Sequence, residues 1–156
     1  MDEKDFIEQA IRLSLENIKT GEGGPFGAVI VKEKKIIATG KNMVIAWNDP
    51  TAHAEIVAIR KACEALSSFQ LTGCEIYTSC EPCPMCFGAI YWARPDKVYY
   101  ANTRKEAALI GFDDYFIYEE IAKPPLIRKI PFIHIKHDKA IVAFEQWNAK
   151  TDKIVY

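Results

Sequence analysis

Two short segments of the chain could do chemistry together. His53-Ala54-Glu55 sets an imidazole and a carboxylate two residues apart, and Pro82-Cys83-Pro84-Met85-Cys86 sets two thiols three residues apart. In the first turn of a helix, residues three apart share a face, so both sulfurs of the second segment point one way. The positive end of a helix also favours thiolate over thiol. His53 is expected in the first turn of another, longer helix. If both helix starts meet at one edge of a sheet, one imidazole nitrogen and two thiolates converge, a mixed set that suits zinc. Three protein ligands leave a fourth position open. Glu55 can then lie beside the metal without ligating it, where a carboxylate takes a proton from water and hands it to a leaving amine.

Two other readings use some of the same residues. Cys80, Cys83, Cys86 and His53 could form a closed structural site with three cysteines and one histidine, which would leave Glu55 unexplained. A redox Cys-x-x-Cys at a strand–helix junction would leave both His53 and Glu55 unused. Cys63 and Cys74 read as core residues of a helix and a strand.

The elements that must position these groups follow from periodicity. Residues 5–18 carry Phe6, Ala10, Ile11, Leu13, Leu15 and Ile18 at helical spacing, and Gly21, Gly23 and Gly24 end the helix. Gly27–Lys32 and Lys35–Thr39 read as two strands of a hairpin. Asn48-Asp49-Pro50-Thr51 is a helix-start signal, predicting a helix over Thr51–Leu66. Cys74–Ser79, Pro82–Trp92 and Lys97–Ala101 read as strand, helix and parallel strand. Ile130–Lys136 could add an outer strand, at an edge because of Pro131, and Phe144–Trp147 reads as helical. The expected fold is three-layer α/β/α with a mixed five-stranded sheet.

The 156 residues fit one domain, residues 1–156. A net charge of −1 gives no electrostatic reason for tight nucleic-acid or acidic-membrane binding. The acidic, amphipathic start is not a signal peptide, and no apolar run approaches the roughly 18 residues of a membrane span. Five cysteines, three of them crowded into residues 80–86, point to metal or redox chemistry in a reducing cytoplasm.

His-x-Glu with Pro-Cys-x-x-Cys is a pattern known from zinc-dependent nucleobase deaminases. Thr51–Glu55 and Thr78–Cys86 resemble the cytidine deaminase-like superfamily. Gly24–Val31, Asn48–Glu55, Ala89–Pro95, Gly111–Tyr118 and the terminal Tyr156 extend the resemblance to its small zinc-dependent bacterial guanine deaminases. That resemblance implies one Zn2+ per subunit on His53, Cys83 and Cys86, with Glu55 as the proton shuttle. It implies that Phe26 stacks on the purine, that Asn42 hydrogen-bonds the base, that the backbone around Ala54 holds the group being replaced, and that Trp92 and Tyr156 help close the pocket. Asp114 would read the guanine edge and assist proton transfer. The implied reaction is hydrolysis of guanine to xanthine and ammonia, in a cytoplasmic homodimer whose C-terminal segment crosses to the partner subunit. Other substrates stay open at this stage: guanosine, cytosine, another aminated heterocycle, or the adenosine of a tRNA. A zinc module without catalysis is the non-enzymatic alternative.

Overall fold

The strand β1 (Gly27–Lys32) carries apolar side chains on both faces. Ala28 and Ile30 belong to one buried cluster, and Val29 and Val31 to another. A strand of this kind needs cover on both sides. On one side, α1 (Glu3–Thr20) supplies Phe6 and Ala10. On the other, α3 (Ala54–Leu66) supplies Ala54, Ala58 and Ala62, joined by Ile90 and Ala93 of α4 (Pro84–Ala93).

The computed structural model describes residues 2–156, which group into two compact units, one ending at Asp114 and one spanning Tyr115–Tyr156. In the first unit β2 (Lys35–Lys41), β1, β3 (Cys74–Cys80) and β4 (Lys97–Asn102) pair in the order β2-β1-β3-β4. β1 is antiparallel to both its neighbours, and β3 and β4 are parallel across α4. Glu33 and Lys34 both take positive φ, the backbone that a two-residue hairpin turn requires. α2 (Val44–Trp47) and α5 (Arg104–Leu109) are short helices that the periodicity did not signal. The second unit holds α6 (Tyr115–Ala122), a 3-10 turn at Pro125–Ile127, and α7 (Ala140–Ala149).

The layered, mixed-sheet expectation holds, with corrections. Among the described residues the sheet has four strands, not five. Residues 130–136 form no strand; Pro131 cannot donate to a ladder, and the apolar side chains of Ile130, Phe132, Ile133 and Ile135 are exposed. α3 begins at Ala54 rather than Thr51, so His53 is its N-cap and not a first-turn residue. α4 begins at Pro84 rather than Pro82, with Cys83 as its N-cap. On α1 the buried face is Phe6, Ala10, Ser14 and Asn17, while Ile11, Leu15 and Ile18 are exposed.

One contact sets the position of α3. A Cβ on Gly40 would lie 2.1 Å from the Ala54 carbonyl oxygen and 2.7 Å from the Ala58 amide nitrogen. β2 and the first turn of α3 therefore touch backbone to backbone, and the alanines at positions 54, 58 and 62, all fully buried, keep the helix that close along its length. Gly40→Ala should drive the start of α3 away from the sheet and destabilise the chain by roughly 1–3 kcal/mol, as overpacking does. A urea unfolding midpoint unchanged from wild type would show that the helix is free to move there.

Candidate metal centre

His53 and Cys83 are both N-caps with extended backbones, at φ −66°, ψ 156° and φ −67°, ψ 168°. N-cap side chains ordinarily turn inward to accept from their own helix. Neither does so here. The imidazole and the thiol face each other instead, while the first-turn carbonyl bonds are kept: Val57 N–H donates to His53 O at 2.9 Å, and Phe87 N–H to Cys83 O at 2.8 Å. The start of α4 is fixed by the paired ends of β3 and β4. Glu81 N–H donates to the Asn102 carbonyl at 2.8 Å, and Arg104 N–H to the Glu81 carboxylate at 2.9 Å.

His53 Nδ1 lies 3.5 Å from Cys83 Sγ and 3.6 Å from Cys86 Sγ. The donor atoms of His53, Cys83 and Cys86 all fall within 4.8 Å of one another. Nitrogen and sulfur ligands at ordinary zinc distances in a tetrahedron stand about 3.6 Å apart. The spacing and the N/S chemistry of these three residues therefore fit zinc, and they are positioned to bind it.

Cys80 does not join them; its Sγ donates to the Thr103 carbonyl at 3.8 Å, and burial pushes its thiol up to about 11. Cys63 and Cys74 pack in the core on the α3 side of the sheet. The closed four-ligand arrangement thus lacks its third cysteine.

The two ligand sulfurs differ electrically. Hydrogen bonds from Cys86 and from His53 bring the Cys83 thiol down to about 4. Cys86 is held up, first by donating to Cys83 and then by burial. The bond to Cys83 raises the His53 imidazole.

Glu55, two residues into α3, is buried and accepts from Cys86 Sγ at 3.5 Å. Burial raises its carboxyl above the ordinary range. The Thr78 hydroxyl of β3 faces Glu55 Oε1 at 3.4 Å and the Gly27 carbonyl at 3.5 Å. Sequence reasoning did not single out Thr78. Its signal was parity, since on β3 it falls with Cys74 and Ile76 on the α3 side.

The remaining candidates come from other parts of the chain. Ala54 is fully buried at the start of α3. Asn42, buried just after β2, accepts at Oδ1 from Gly24 N–H at 3.3 Å and Val44 N–H at 3.2 Å. Phe26 precedes β1 and meets the ring of Phe112 edge-on, with centroids 4.9 Å apart; Phe112 was also not anticipated. Asp114 is half-buried, and its carboxyl is raised by burial and then by the negative charge of Cys83. Trp92 is exposed near the end of α4, and Tyr156 is exposed in the second unit.

Residues 1–102 match the model of the cytidine and deoxycytidylate deaminase zinc-binding region. The chain is 53% identical over 156 residues to the guanine deaminase of Bacillus subtilis, with all of both chains covered. The crystal structure of that guanine deaminase superposes with a TM-score of 0.98, covering 100% of this chain and 99% of the other at 52% identity. A tRNA-specific adenosine deaminase of Aquifex aeolicus is 42% identical over 106 residues, 68% of this chain and 70% of that protein.

Cys83→Ala should lose the metal, whereas Cys80→Ala should keep one zinc per chain after dialysis. Metal analysis of the two purified variants checks both, and loss of zinc from Cys80→Ala would make that cysteine a ligand.

Proposed function

The chain belongs to the cytidine and deoxycytidylate deaminase family, and from that membership we propose that it hydrolyses guanine to xanthine and ammonia. The observation that carries the reading is the end-to-end likeness to the Bacillus subtilis guanine deaminase, second unit included. The likeness to the tRNA-specific adenosine deaminase covers 106 residues only.

When bound, zinc supplies Lewis acidity that brings the ionisation of water toward neutral pH. His53, Cys83 and Cys86 hold it. Glu55 does the proton work: it takes a proton from water as water adds to the amine-bearing purine carbon. It delivers that proton to the ring nitrogen, then carries the proton of the added hydroxyl to the amine, so that the carbonyl forms, the carbon–nitrogen bond breaks and ammonia leaves. A buried carboxyl with a raised affinity for protons suits both directions of transfer. Thr78 steadies the Oε1 side of that carboxylate.

The base-binding roles belong to the same proposal. Phe26, backed by Phe112, offers a ring face to the purine. Asn42 offers its amide nitrogen as a donor, because two main-chain N–H groups already occupy its oxygen. The backbone at Ala54 holds the reacting group, Asp114 reads the guanine edge and assists proton transfer, and Trp92 and Tyr156 close the pocket.

All 156 residues act as one deaminase domain in a homodimer, with the C-terminal segment crossing to the partner subunit. What supports this is the exposed apolar surface of the second unit, including Phe116, Leu126, Ile130, Phe132, Ile135 and Phe144. Large apolar side chains exposed in this number suit an interaction surface. No helix among the described residues is long and apolar enough to cross a membrane. Five free cysteines agree with a reducing, cytoplasmic setting.

Ammonia release from guanine, guanosine, adenine and cytosine, tested side by side, should single out guanine. Turnover of another of the four would keep the zinc chemistry and discard the base-binding roles. Glu55→Gln should keep its zinc and lose at least about a hundredfold in kcat; near-normal turnover would remove Glu55 from proton transfer. Mixing Glu55→Gln chains with chains lacking Tyr156 tests the crossing segment. Exchange between the two inactive species should restore part of the activity, and no recovery in a mixed dimer would refute a contribution from the partner.

A further inference from the structure

The buried end of α1 holds a polar residue that the mechanism above does not use. Asn17 is fully buried, one turn before the helix ends at Gly21. Its Nδ2 donates to the Gly24 carbonyl at 2.7 Å and to the Asn42 carbonyl at 2.8 Å. Both amide hydrogens are thereby committed, to two residues far apart in the chain.

One of those carbonyls is Asn42's own, and the other belongs to Gly24, two residues before Phe26. Gly24 O also accepts from Phe26 N–H at 2.8 Å, and Asn42 N–H donates to Phe26 O at 3.1 Å. Gly24 N–H donates to Asn42 Oδ1. Phe26 and Asn42 are therefore linked by a closed set of hydrogen bonds in which Asn17 is the helix-borne member.

The same set fixes which end of the Asn42 amide faces outward. Gly24 and Val44 approach Oδ1 with main-chain N–H groups, which can only donate, so oxygen must occupy that place. Nδ2 is turned the other way and has no protein acceptor among the described residues. Space on the inner side is tight: a Cβ on Gly23 would come within 2.2 Å of Asn42 Oδ1 and 2.3 Å of Asn42 O.

We propose that Asn17 is a positioning residue for base recognition, setting the separation and orientation of the Phe26 ring and the Asn42 donor without touching the base. The proposal rests on the guanine reading above. It makes the end of α1 part of the specificity apparatus, since a displaced Asn42 would no longer meet an acceptor on the base.

The test uses Asn17→Ser and Asn17→Asp in the zinc-loaded full chain. Ser shortens the reach to one carbonyl, and Asp keeps the shape while setting oxygen against both carbonyls. Each should raise KM for guanine roughly tenfold, with kcat within about threefold of wild type and zinc content unchanged. In an Asn42→Ala background the same substitutions should raise KM less than in the wild type, because the part that Asn17 exerts through the Asn42 donor is already lost. Amide hydrogen exchange at Gly24 and Val44, the donors to Asn42 Oδ1, should speed up in the single variants. A KM that stays at the wild-type value, or a loss confined to kcat, overturns the proposal. So does a full further rise in KM in the Asn42→Ala background, or failure of both single variants to fold, which would leave Asn17 a stability residue. A wild-type chain that ignores guanine would instead remove the substrate reading. Exchange at Gly24 and Val44 then decides the positioning role alone, and unchanged exchange refutes it.

Discussion

The site depends on two helix N-termini being held face to face while neither cap side chain is spent on its own helix. Giving up a side-chain cap costs a helix about 1 kcal/mol. At His53 and Cys83 that cost falls twice, and packing offsets it. α3 is pressed onto β2 along an alanine stripe, with Gly40 removing the one Cβ that would hold them apart. α4 starts where β3 and β4 are joined through Glu81, Asn102 and Arg104. The ligand spacing is thus a property of the sheet's edge, delivered through helices that cannot slide.

A division of labour follows. The metal ligands and Glu55 sit on helix starts anchored to the sheet. The groups assigned to the base come from connections: the glycine-rich segment before β1, the residue after β2, and the stretch from Phe112 to Asp114. Rigid elements suit a proton shuttle, whose usefulness falls steeply with displacement, and connecting segments are where one scaffold changes its substrate.

How far the sequence could be read tracks how local each signal was. The gathering of His53, Cys83, Cys86 and Glu55 was legible because the spacing within each of the two segments is short and their chemistry scarce. The start of α3 was misplaced because the signal before it was real but served another element. Asp49 Oδ1 accepts from both the Thr51 amide and the Thr51 hydroxyl, at 2.8 and 2.7 Å, and so builds a turn ahead of the helix. The face of α1 was misread because its buried stripe runs from Phe6 into Ser14 and Asn17. The Ser14 hydroxyl satisfies itself on Ile11 O at 2.7 Å, and Asn17 finds carbonyls that only the folded chain brings near. Residues 130–136 alternate like a strand, yet pairing needs donors and a neighbour, which apolar pattern alone does not report.

The pairing of β1 has a consequence for the order in which the chain matures. Its hairpin partner β2 follows at once, but its other partner, β3, joins Ala28 to Thr78 and must be synthesised much later. At ribosomal speeds of roughly 5–20 residues per second, several seconds separate the emergence of His53 from that of Cys86. Throughout that interval the nascent chain displays an imidazole without its thiols and a valine- and isoleucine-rich strand with one edge open. An open edge of that composition invites pairing with other chains. The complete ligand set therefore has to wait for Cys86, and the edge of β1 that pairs with β3 stays open over much of the same interval.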